Sequence, residues 1–98
     1  MYTVATHKSI HGLLIVITDT EIIGEVFSEG NKELNLTGKF FEGEEKSKEE
    51  VIILLRQGRH LHLTGKSIVE LALNLELIDV ARILWVDRIP HAQAFCEG

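Results

Sequence analysis

Residues 13–18 of the chain read Leu-Leu-Ile-Val-Ile-Thr, five apolar side chains in a row before the first hydroxyl. Successive side chains of a strand point to opposite faces, so this strand is apolar on both. Such a strand belongs in the middle of a sheet, covered above and below. The run is far too short to cross a bilayer, which needs roughly 20 apolar residues in a helix. The chain must therefore be layered around this segment.

The flanking pattern supplies the layers. Residues 2–7 have strand composition, and residues 8–12 make a link short enough for an antiparallel hairpin. Thr18 and Glu21 have the spacing of a capping box before a brief helical turn that Gly24 stops. Gly30-Asn31 is a turn, and residues 33–37 form a half-buried strand with Leu34 and Leu36 on one side. Phe40 and Phe41 are adjacent between glycines, so one is expected inward and the other over an edge. Ser47-Lys48-Glu49-Glu50 is a capping box, opening a helix through Val51, Leu54 and Leu55 that Gly58 ends. Residues 60–63 read as a short strand. Ile68, Leu71, Ala72 and Leu75 follow i, i+3, i+4, i+7 and predict a second helix over 66–75. Residues 83–86 form another strand. A last one over 92–95 follows a turn at Pro90, the only proline. Irregular alternation of at least four strands with two principal helices reads as α+β, a single domain over 1–98 with a mainly antiparallel sheet.

The net charge of −5 argues against wholesale nucleic-acid binding. All of that excess lies in residues 1–50, which hold 5 lysines against 10 acids, while residues 51–98 balance. Arg56, Arg59, His60, His62 and Lys66 fall in one stretch without an acid, the chain's candidate anion-facing edge. The carboxylates Glu42, Glu44, Glu45, Glu49 and Glu50 read as a solvated face around a helix start. Cys96 is the only cysteine, so no intrachain disulfide or multi-thiolate site is available. With no signal-like N-terminus, a reducing cytoplasm is the expected setting.

Three constellations carry chemistry. Thr64-Gly65-Lys66-Ser67 resembles the end of a phosphate loop, but His60 stands where its first glycine belongs, so a complete Walker motif is excluded. What survives is a helix start whose amides would attract an anion, with Thr64, Gly65 and Lys66 as binding candidates. The plain alternative is an ordinary N-cap at Thr64 or Ser67. His60-x-His62 sets two imidazoles on one strand face, and zinc would need a third ligand; His7, His11 and His91 are scattered, so no metal is expected. No cofactor motif is present. His91 and Gln93 sit after Pro90, whose fixed φ presets the backbone. On a strand they share a face, directed toward the start of the second helix near Gly65. His91 is either a working group near neutral pH or a structural histidine.

Taken in order, Phe40-Phe41-Glu42-Gly43, the capped helix, Leu63-Thr64-Gly65-Lys66 and the closing Ile89-Pro90-His91-Ala92-Gln93 resemble an archaeal family of small uncharacterised proteins, the domain of unknown function numbered 424. The strand at 13–19 and Ile-Ile-Gly at 22–24 fit as well. Members usually carry a tyrosine where this chain has Phe41, and often an acid where it has Lys66. The resemblance implies an archaeal cytoplasmic setting and a loose link to translation or ribosome assembly. The leading expectation is a non-enzymatic accessory protein that binds a ribonucleoprotein or protein partner through Arg59, His62, Lys66, His91 and Gln93. One alternative is a small enzyme or ligand-binding protein for an anionic metabolite at Gly65, with His91 as general acid/base. Another is a structural homodimer module resting on residues 83–86, apolar on both faces.

Overall fold

In the computed structural model, which describes residues 1–10 and 12–95, the chain forms one α+β unit. The strands are β1 (Tyr2–Ser9), β2 (Gly12–Asp19), β3 (Val26–Glu29), β4 (Lys32–Asn35), β5 (Glu44–Lys46), β6 (His60–Thr64), β7 (Leu84–Val86) and β8 (Ile89–Phe95); the helices are α1 (Lys48–Gln57) and α2 (Lys66–Asn74). Six strands form one sheet in the order β5-β1-β2-β6-β8-β7, and β3 and β4 form a separate hairpin. β2 lies third in that order, as its apolar run requires. Its pairing with β6 is parallel and the other pairs are antiparallel. The parallel step follows from the crossover through α1.

Alternation divides the sheet into two faces. Tyr2, Val4, Ile15, Ile17, Leu61, Leu63, Ala92 and Ala94 point to the helices and pack with Val51, Leu55, Ile68, Val69, Leu71 and Ala72. The opposite face is covered at one end by a smaller cluster, in which Ile22, Leu34, Leu36 and Val86 meet Phe27, Phe41 and Ile89. The helix starts differ in origin. α1 has the full capping box, with the Ser47 hydroxyl accepting from the Glu50 amide and Glu50 accepting from the Ser47 amide. α2 has no local side-chain cap. Its cap comes from β2: Asp19 accepts from the amides of Ser67 and Ile68, both at 2.9 Å.

Several expectations change. Thr18 is a fully buried residue of β2 and caps nothing; the helical turn at Thr20–Ile22 begins after Asp19. Pro90 is inside β8, opposite Trp85, rather than at a turn. The Pro90 carbonyl accepts from the Gly65 amide at 2.9 Å, and the Gly65 carbonyl accepts from the Val69 amide in α2, so the missing Pro90 N–H leaves that carbonyl paired. The turn is Asp87-Arg88, with φ of 47° and 67°. Two residues at positive φ make the type I′ geometry that suits a tight hairpin. The Asp87 amide donates to Glu29 Oε1 at 2.8 Å, which ties this turn to β3. His11 and Cys96, both weighed in the sequence, lie outside the described residues.

Gly65 has φ of +121°, and a Cβ added there would fall inside the Asp19 carboxylate. Strain and collision therefore coincide. Gly65→Ala should destabilise the fold by on the order of 1–3 kcal/mol or more. Gly38→Ala, where a Cβ meets open space, is the control. Asp19→Ala should cost about 1–3 kcal/mol by orphaning the buried Ile68 amide and the half-buried Ser67 amide. Urea melts of the three variants check the ranking, and a Gly65→Ala as mild as Gly38→Ala would contradict it.

Candidate functional site on the open sheet face

The face turned away from the helices is a grid set by strand register. Pairing places Thr3, Thr18, Thr64, His91 and Leu84 in one row across β1, β2, β6, β8 and β7. The next row is Ala5, Val16, His62 and Gln93, and the third is His7, Leu14, His60 and Phe95. Four of the sequence candidates, His62, Thr64, His91 and Gln93, thus share this face, Thr64 fully buried in it. His60 joins them, and Phe95 follows in the same alternation.

The centre of the grid is a pair of imidazoles. His62 Nε2 and His91 Nε2 are 2.8 Å apart, so one donates and the other accepts. Phe40 and Phe41 meet the His62 ring edge-on at centroid distances of 5.2 and 6.0 Å. His7 stacks on Phe40 at 4.9 Å, its Nε2 within 2.9 Å of the Phe40 carbonyl. Both phenylalanines therefore touch His62, with Phe41 packed inward on the smaller cluster and Phe40, 37% exposed, lying over the sheet from outside. The tight turn at Lys39–Phe41 makes this possible by swinging consecutive side chains onto one surface.

Burial pushes the His62 pKa down to about 4, with the His91 and His60 rings adding to the fall. Burial lowers that of His91 as well. Both shifts favour the neutral rings, one of which donates its N–H to the bare nitrogen of the other. His62 Nδ1, Thr18 Oγ1 and Thr64 Oγ1 are buried and make no hydrogen bond among the described residues.

Toward the β7 edge the face opens. His60 and Phe95 stack with centroids 4.2 Å apart and planes 22° from parallel. Phe95 is 72% exposed and Leu84 64%. Arg82, Leu84, His91, Ala92, Gln93 and Phe95 line an open cavity of about 520 Å³. Chemically the patch offers an aromatic platform, a carboxamide, a neutral imidazole pair and one guanidinium.

The remaining candidates go elsewhere. The α2 start is already occupied by an anion, the Asp19 carboxylate, which takes the Ser67 and Ile68 amides an exogenous phosphate would use. Burial raises the Asp19 pKa, and those two amides oppose the rise. Gly65 serves Asp19. His91 and Gln93 point away from α2, because Ala92 and Ala94 take the helix side of β8. The Gly65 helix start and His91 thus lie on opposite faces and do not share one metabolite site. The basic stretch is split too: Arg56 and Lys66 belong to the helix layer, while His60 and His62 lie under the other face. Arg59 borders a separate hollow with Leu13, Leu54 and Gln57. Among the described residues no three His, Cys, Asp or Glu side chains group as a metal site. No helix among them is long and apolar enough to cross a membrane.

Sequence reading missed Asp19, Phe95 and Arg82. Phe95 was within reach, since the period of two that joins His91 to Gln93 continues to it. The Asp19 cap and the His60–Phe95 stack depend on pairings between distant segments, which no local signal carries.

The imidazole pair generates a pH prediction. A histidine whose folded pKa lies below its unfolded value of about 6.5 takes up its proton more readily in the unfolded chain. Its contribution is complete above pH 6.5 and is lost as pH falls toward 4. The loss from His62 is on the order of 3 kcal/mol at most. Urea melts between pH 7 and 4 should show this slope, and His62→Gln should flatten it. Equal slopes in both proteins would count against the buried neutral pair.

No curated protein matches the chain. A crystal structure of an uncharacterized conserved protein from Methanopyrus kandleri is similar in fold, with a TM-score of 0.71 at 14% identity over 99% of this chain and 98% of that one. The sequence profile of the family described as "Protein of unknown function (DUF424)" matches residues 7–96, nearly the whole length, and the chain belongs to that family.

Proposed function

We propose that this protein is a non-enzymatic accessory protein that binds single-stranded RNA of a ribonucleoprotein, such as one of the translation apparatus, on its open sheet face. The observation that carries the reading is the His60–Phe95 stack, aromatic and largely exposed on a sheet whose other face is sealed by helices. Unpaired bases stack on aromatic side chains displayed by a sheet, and their edges then meet neighbouring polar groups. Gln93 and Arg82 supply such groups beside Phe95.

The charge balance is compatible with this. Glu42, Glu44, Glu45, Glu49 and Glu50 gather around β5, at the far end of the sheet order from β8. Four strand spacings separate β5 from β8, roughly 19 Å. That exceeds the Debye length of about 8 Å at physiological ionic strength. The acids are therefore screened from the platform, and stacking rather than phosphate contact supplies most of the affinity.

Fluorescence anisotropy with labelled single-stranded RNA tests the reading. Phe95→Ala should weaken binding by about 1–3 kcal/mol, the usual loss for one stacked base. The salt dependence should be shallow, with a log–log slope of about −0.7, since Arg82 neutralises about one phosphate. Recovery of a protein partner from native extract that survives RNase, with no RNA bound by the purified protein, would replace RNA with protein as the ligand.

A further inference from the structure

Resting on the RNA reading, we infer that the cavity between Phe95, Gln93 and Arg82 is a single-base pocket selective for unpaired adenine. Phe95 and Gln93 are two residues apart on β8 and share a face, roughly 7 Å from each other along the strand. A base lying on the exposed side of the Phe95 ring therefore brings one edge to the Gln93 amide. The other side of that ring is held by His60, which keeps the platform from turning. The cavity, about 520 Å³, is of the size that holds a small ligand.

The amide selects the base. A carboxamide presents one donor beside one acceptor and pairs best with an adjacent acceptor and donor. Adenine offers that pair on both of its edges, N6–H with N7 and N6–H with N1. Guanine offers two acceptors on its major-groove edge, and a matching pair only where O6 adjoins N1–H or N3 adjoins N2–H. Cytosine and uracil offer a matching pair only on the pairing edge, and their smaller rings cover less of Phe95. Adenine is thus the base that matches Gln93 on its major-groove edge as well as on its pairing edge. Arg82, on the same rim, is placed to meet the phosphate of that nucleotide, a role that carries no base preference.

The test uses the full chain with labelled ten-nucleotide oligo(A), oligo(U) and oligo(C), and with AMP as competitor. Oligo(A) should bind at least about fivefold more tightly than oligo(U), the lower end of what one bidentate amide–base pair discriminates. Gln93→Leu, an exposed change of similar volume, should bring that ratio to near one, while Arg82→Ala should weaken all three oligonucleotides equally. Matched urea midpoints keep folding out of the comparison. RNA binding with no preference for adenine, or a preference unchanged by Gln93→Leu, overturns the pocket and leaves the RNA reading standing. Displaceable AMP binding that depends on Gln93, without affinity for any oligonucleotide, supports the pocket and overturns the RNA reading.

Discussion

Two hydrogen bonds from the start of α2 to Asp19 hold the architecture in place. Asp19 ends the central strand, and α2 begins one residue after the strand beside it. The carboxylate completes the helix's unpaired amides, and the helix dipole favours the negative charge there. Gly65 must be glycine for the carboxylate to reach. Tyr2 and Ser67 add a hydroxyl contact of 2.6 Å across the same junction. The helix layer is thereby pinned to the middle of the sheet at the point where its chain leaves it.

With the helices pinned on one side, the other side acquires a different character. The alternates Tyr2, Val4, Ile15, Ile17, Leu61, Leu63, Ala92 and Ala94 go to the helix face. The polar and aromatic alternates, His7, His60, His62, Thr64, His91, Gln93 and Phe95, are left to the opposite one. The β3–β4 hairpin covers only part of it. Side chains on paired strands are held more firmly than side chains on loops, so this open patch is preorganised. The imidazole pair adds a cross-strand tie between β6 and β8 beside the platform.

Much of the fold was legible in local pattern. The buried strand at 13–18, the Ser47 capping box, the stripe of α2 and the turn at Gly30-Asn31 each depend on residues within one turn or one strand. The Asp87-Arg88 turn was not, because it lacks the Asn-Gly or Asp-Gly signature and is stabilised by Glu29 from another hairpin. The direction of His91 and Gln93 was misjudged for a similar reason. Alternation fixes that they share a face, but which face is decided by Ala92 and Ala94 fitting under α2.

The sequence by itself determined the element types, the central place of β2 and the two-residue rhythm that aligns His91, Gln93 and Phe95, because these follow from backbone periodicity and local capping. Only the tertiary structure decided that Asp19 fills the helix start that looked like an anion site, that His62 meets His91, and that Phe95 stacks on His60. Each of these joins residues dozens of positions apart, and strand order and register, not neighbouring side chains, bring them within hydrogen-bonding or stacking distance.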